Sequence, residues 1–246
     1  REIQGITCNS KEVKKNWIFV AIEGKVQSGT KFKQEVSQKG GILLSEKEGF
    51  DYQVENAREA YAYLLHAYHD QPSMKLKVIG ITGTNGKTTT KELIAAVLSR
   101  KYRIHYTQGN LNNQIGVPLT LLQITRAHEM AIVEMGASHP GDIKELVDIA
   151  EPNCGLITNV GRAHLEGFGS FEGVQQTKKE LYDYLRAHQG FIFRNMDNSY
   201  LAQMAGDLKT VPYTTGTMPD GTHLVGEYNA ENVSAAICVG EHFGIS

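Results

Sequence analysis

At 246 residues the chain is long enough to bury a sizeable core, and the length suits two domains better than one. Hydrophobic residues make up 41% and charged residues 21%, ordinary for a soluble globular protein, and a net charge of −2 argues against a broad basic surface for nucleic acid. Three scattered cysteines, Cys8, Cys154 and Cys238, argue against a disulfide framework or a zinc knuckle, and no apolar run nears the ~18 residues of a membrane span.

Residues 1 to about 70 read as a first unit. Trp17–Ile22 and Gly41–Leu44 are apolar enough for buried strands, and Glu55–His69 places Ala57, Ala60, Tyr61, Leu64, Leu65 and Tyr68 on one helical face. The polar break Asp70-Gln71-Pro72-Ser73 marks a boundary, giving domains 1–73 and 74–246. The start, Arg1-Glu2-Ile3-Gln4, has no signal-type apolar segment, and with the cysteine usage this predicts a cytoplasmic protein.

From Lys75 onward strands and helices alternate. Strands are predicted at Lys77–Thr82, Arg103–Thr107, Ala131–Met135, Gly155–Val160 and Phe191–Arg194, with helices at 88–100, 139–150 and 172–187. Alternation of this kind predicts an α/β fold with a mostly parallel sheet flanked by helices, its ligands at the carboxyl ends of the strands.

The first of those strands empties into Gly83-Thr84-Asn85-Gly86-Lys87-Thr88-Thr89, followed by a helix with Leu93, Ala96, Val97 and Arg100 at helical spacing. Glycines let backbone N–H groups face one concavity, the helix N-terminus adds positive charge, and Lys87 can neutralise outer phosphates. The hydroxyl of Thr88 is placed for Mg²⁺. The general phosphate-loop pattern wants a first Gly at position 81, where this chain has Ile81.

Other polar groups also follow strands. Glu134 ends an apolar strand, where a buried charge costs several kcal/mol unless something pairs with it. His164 follows another strand, fourteen residues before Lys178. Asn110, Asn112 and Asn113 sit in a polar loop, where turn chemistry alone would account for them. Asn229 and Asn232 open a C-terminal helix; capping explains one of them but not both.

Taken together these runs resemble the Mur ligase family. Residues 82–89 match its loop T-G-[ST]-N-G-K-T-[TS], which also accounts for Ile81. Gly109–Pro118 resembles the G-N-x-N-N-x-x-G-x-P run of the members that add D-alanyl-D-alanine to UDP-N-acetylmuramoyl-tripeptide. Glu134-Met135-Gly136-Ala137 matches E-M-G-A, Asn159 with Ala163–Glu166 and Phe168–Ser170 matches N-x-x-x-A-H-L-E-x-F-G-S, and Tyr228, Asn229 and Asn232 match [HY]-N-x-x-N.

The resemblance implies an ATP- and Mg²⁺-dependent amide ligase of peptidoglycan precursor synthesis, acting through an acyl phosphate as a cytoplasmic monomer with no nucleic-acid partner. Its substrates would be UDP-N-acetylmuramoyl-tripeptide and D-alanyl-D-alanine. Residues 1–73 would bind the UDP-sugar and 74–246 the ATP, and the family's third, Rossmann-like domain would be missing. It assigns nucleotide contacts to Gly83, Thr84, Asn85, Gly86, Lys87, Thr88 and Thr89, with Asn229 and Asn232 bordering adenine. Thr88, Glu134, His164 and Lys178 become metal ligands, Lys178 as a carbamate; Lys87, His164 and Lys178 are the catalytic set. Ser10, Asn110, Asn112 and Asn113 become substrate contacts. Around Ser10 the match is looser, and Asn16 stands where the family has a turn Gly.

Three alternatives remain: a sibling ligase that adds the third amino acid or a folylpolyglutamate synthetase, a P-loop nucleotide-binding protein that joins nothing, and a piece that binds ligands without catalysis.

Overall fold

The computed structural model describes residues 3–23, 28–58, 60, 61, 64, 76–125, 127–161, 165–219, 224, 226 and 228–245. The chain divides into two compact units, Arg1–Gln71 and Pro72–Ser246.

In the first unit β1 (Gly5–Thr7), β2 (Trp17–Ala21), β3 (Ile42–Ser45) and β4 (Tyr52–Gln53) pair in parallel in that order. A 3-10 turn at Gly29–Phe32 leads into α1 (Lys33–Gln38). Val13, Phe19, Ala21, Val36 and Leu43 form the core, with Trp17, Phe32 and Phe50 packed on it. Asn16 adopts φ 65°, a left-handed turn that asparagine tolerates. Of the helix expected over 55–69, residues 57, 58, 60, 61 and 64 are helical, Glu55 and Asn56 precede it in non-helical backbone, and the rest, with the break at 70–73, lie outside the described residues.

The second unit holds a parallel sheet of six described strands: β5 (Lys77–Thr82), β6 (Ile104–Tyr106), β7 (Met130–Glu134), β8 (Cys154–Ile157), β9 (Phe191–Asn195) and β10 (Thr210–Tyr213). Their order is β10-β9-β8-β5-β7-β6. Strand β5 therefore lies between β7 and β8, pairing Ile81 with Glu134 on one side and with Leu156 on the other. The chain leaves β5 toward one edge and later returns to its other side, which opens a crevice at the carboxyl ends.

Helices α2 (Lys87–Leu98) and α8 (Tyr228–His242) contribute to the core on one face, through Ile94, Ala95, Leu98, Ala236 and Val239. The other face is covered by α3 (Gly116–Leu122), α4 (Asp142–Ala150), α6 (Phe171–Ala187) and α7 (Ser199–Ala205), with the short α5 (Leu165–Phe168) preceding α6. The expected face of α2 needs correction. Its fully buried residues are Thr90, Lys91, Ile94, Ala95 and Leu98, Leu93 and Val97 are half-buried, and Ala96 and Arg100 are exposed. The helix packs against both the sheet and α8, so its buried stripe is set by two neighbours rather than one. The edge strand β10 was not expected either, since Thr210–Tyr213 is only half-buried and its Pro212 is atypical of a strand interior.

Candidate nucleotide and metal site

Strand β5 delivers the chain into a loop closed by Gly83 (φ 144°) and Gly86 (φ 77°) before α2 begins at Lys87. Gly86 is the helix N-cap and carries no capping side chain, so first-turn N–H groups of α2 remain able to receive an anion. The strand end after β8 braces the loop. Thr158 Oγ1 donates to Asn85 O at 2.6 Å, Asn85 N donates to Asn159 Oδ1 at 3.0 Å, and Gly161 N donates to Thr84 Oγ1 at 2.9 Å. From the other side, Thr90 Oγ1 donates to Asn232 Oδ1 at 3.0 Å and Asn232 Nδ2 donates to Asn229 Oδ1 at 3.1 Å. Both asparagines are buried, so the pair fastens α8 to the helix that follows the loop.

Lys87 Nζ donates to the carbonyls of Gly83 at 2.8 Å and Thr84 at 3.1 Å. Burial lowers its pKa, while the nearby Glu134 carboxylate pulls the other way. Glu134 ends β7 and is 1% exposed, so it is a buried charge and not a surface carboxylate. Its Oε1 accepts from Thr88 Oγ1 at 3.1 Å and from Asn112 Nδ2 at 2.8 Å. Its Oε2 is buried without a hydrogen bond among the described residues, and Lys91 Nζ lies 3.7 Å from it. These groups fit a hard divalent cation: Thr88 and Glu134 offer oxygen donors, and one buried carboxylate oxygen is still without a hydrogen-bond partner.

A cleft of about 300 Å³ runs from this loop along α6, with Lys87, Asn112, Asn113, Asp142, Phe168 and Lys178 in its wall. Lys178 is 3% exposed. Burial, and behind it the charge of Lys87, push its ammonium down to about 8, against the opposing pull of Asp142 and Glu180. Its Nζ sits 5.6 Å from the Phe168 ring centroid. As a cation Lys178 would repel a metal; as a neutral amine it is a nucleophile able to take up CO₂. Glu180, two residues on, accepts Gly141 N at 2.9 Å and Lys144 N at 2.8 Å and so clamps the start of α4 against α6.

The structure thus brings Gly83–Thr89, Glu134, Asn112, Asn113 and Lys178 to one end of one sheet, with Asn229 and Asn232 behind the loop. The asparagine loop is more varied than its composition suggests. Asn112 holds Glu134, Asn113 Oδ1 accepts Ile115 N and Gly116 N to cap α3, and Asn110 is exposed. Ser10 belongs to the first unit, where its hydroxyl donates to Glu35 Oε2 at 3.2 Å. His164 lies outside the described residues. Sequence reasoning passed over Lys91 and Asp142. Lys91 had a signal, since it follows Lys87 by four residues and shares its helix face.

The chain matches the description "Mur ligase middle domain" over residues 81–218. It belongs to the Mur ligase family. Two relatives are each named UDP-N-acetylmuramoyl-tripeptide–D-alanyl-D-alanine ligase. The Bacillus subtilis protein is 32% identical over 99% of this chain, and the Synechocystis protein 35% identical over 99%. The chain spans 60% and 59% of their lengths. Among solved structures, MurF from Acinetobacter baumannii superposes with a TM-score of 0.86 at 28% identity, over all of this chain and 61% of that one. The Thermotoga maritima MurF ligase, solved in complex with ADP, gives 0.84 at 27% identity, over 98% of this chain and 63% of that one. The Mur ligase middle domain lies wholly within the second unit, which holds every part of the cleft described above.

Proposed function

We infer that this chain forms the nucleotide and acceptor end of an ATP-dependent ligase that joins D-alanyl-D-alanine to UDP-N-acetylmuramoyl-tripeptide. The observation that carries this reading is the convergence of Lys87, Thr88, Glu134 and Lys178 at the carboxyl end of one parallel sheet. In the reaction, a carboxylate oxygen of the tripeptide attacks the γ-phosphorus of ATP, the bond to the ADP oxygen breaks, and an acyl phosphate results. The amine of D-alanyl-D-alanine then attacks the acyl carbon, phosphate leaves, and the amine's proton passes to solvent.

Lys87 would leave the Gly83 and Thr84 carbonyls to bind the outer phosphates, and the first-turn N–H groups of α2 would hold the same charge. Thr88 and Glu134 would hold Mg²⁺, which supplies charge neutralisation at the phosphates. Lys178, with a pKa of about 8, keeps roughly a tenth of its amine neutral at pH 7, enough to react with CO₂. The resulting carbamate offers oxygen where the free ammonium offers only charge of the wrong sign. His164 would join it at a second metal, and Asn229 and Asn232 would border the adenine. Asn112 and Asn113, which line the cleft, would contact substrate together with the exposed Asn110, whereas Ser10 would serve the UDP-sugar from the first unit. We read the protein as a monomer, and among the described residues no helix is long and apolar enough to cross a membrane. We place the reaction in the cytoplasm, where ATP is supplied.

ADP release by the full-length protein, measured with each substrate alone and with both, tests the reading. Release should require both substrates, and Lys87→Ala should abolish it while leaving the circular dichroism spectrum intact. Hydrolysis indifferent to the acceptor, or full turnover in Lys87→Ala, would overturn it.

A further inference from the structure

Lys91 has no part in the chemistry above, yet it is one of the most deeply buried charges in the second unit, with 0% of its side chain exposed. Its ammonium donates to Gly109 O at 3.0 Å, pairs with Glu92 Oε1 at 3.0 Å and lies 3.7 Å from the orphaned Glu134 Oε2. The Tyr106 ring lies 5.8 Å from it. Glu92 is half exposed at 49%, so water can satisfy it; Glu134 at 1% has no such recourse. Lys87 also senses Glu134, but its own ammonium is bonded to the loop carbonyls. Asn112, three residues after Gly109, reaches Glu134 from the other side at 2.8 Å. One carboxylate therefore meets the asparagine loop twice, directly through Asn112 and through Lys91.

We propose that Lys91 is a positioning residue that stands in for the divalent cation's charge at Glu134 when the metal is away and anchors the start of loop 109–113 to that carboxylate. The idea rests on the reading that Glu134 takes Mg²⁺. A buried carboxylate stripped of its pairing cation is strongly destabilising, and a metal can restore the balance. Removing Lys91 should therefore harm the metal-free protein most, and metal should repair more of the damage than it adds to the wild type.

The test is a thermal-unfolding cycle on the full-length protein with Lys91→Met, Glu134→Gln and the double variant. Lys91→Met should lower Tm by roughly 6 °C or more in the wild-type background and by less than half of that in the Glu134→Gln background. Adding Mg²⁺ with ADP should raise the Tm of Lys91→Met more than that of the wild type, and amide exchange across 109–113 should quicken in the metal-free variant. Equal costs in both backgrounds or equal Mg²⁺-dependent gains would overturn the proposal, because a merely structural lysine predicts both, and unchanged exchange would overturn the anchoring of the loop. If Lys91→Met does not fold, a folded double variant supports the pairing and an unfolded one refutes it. A wild type whose Tm ignores Mg²⁺ with ADP would refute the metal reading itself, and the two-background comparison would still judge the Lys91–Glu134 pair.

Discussion

Gly86→Ala probes how the phosphate loop is held. Gly86 adopts φ 77°, and a Cβ built there would meet Asn232 Oδ1 at 2.5 Å. Placing alanine in the left-handed region costs about 1–2 kcal/mol. Relieving the overlap requires Asn232 to swing away from Thr90 Oγ1, now 3.0 Å distant, and a buried hydrogen bond lost this way costs about 1–2 kcal/mol more. The sum, about 3 kcal/mol, lowers Tm by roughly 6–12 °C for a protein of this size. Thermal denaturation followed by circular dichroism on Gly86→Ala, Asn232→Ala and the double variant separates the two contributions. With Asn232 truncated the new methyl group has room, and only the backbone cost of about 1–2 kcal/mol should remain. Strictly additive Tm shifts would show that Asn232 does not press on Gly86, and the account of the loop would fail.

Two further predictions concern titrating groups. Lys178 is depressed from 10.5 to about 8, so the unfolded chain binds the extra proton between those values and stability falls as pH drops through them. At pH 7 the full cost, about 3 kcal/mol as a ceiling, is present; Lys178→Met should raise Tm by several degrees while abolishing ligation, and a lowered Tm would contradict the buried-ammonium picture. His105 is half-buried, its Nε2 has no hydrogen bond among the described residues, and burial followed by the neighbouring His128 lowers its pKa. Its neutral form is the one that folding favours, so stability should be full above about pH 6.5 and decline as pH falls below it. Comparing melts at pH 7.5 and 5.5 for wild type and His105→Gln checks this, and an equal decline in both proteins would rule His105 out.

Much of the architecture was legible because its signals are local. Alternating apolar runs and helical periods announced a parallel α/β sheet, and β5, β7, β8 and β9 fall where the apolar runs placed them to within a few residues. The loop from Gly83 to Thr88 was legible because its backbone turns through φ 144° at Gly83 and 77° at Gly86, which favours glycine. Chemistry tied to a few contiguous residues survives in the sequence.

What the sequence left open depends on neighbours distant along the chain. Whether Glu134 was a surface carboxylate or a buried charge turned on Thr88, 46 residues before it, and Asn112, 22 residues before it. Lys91 reads as one more polar position on an amphipathic helix until Tyr106, Glu134 and Gly109 close around it, and Asn232 reads as a cap until it meets Thr90, 142 residues away. A side chain's charge and hydrogen-bonding capacity are written in its formula. Which solvent and which partners surround it is decided only when packing removes the water.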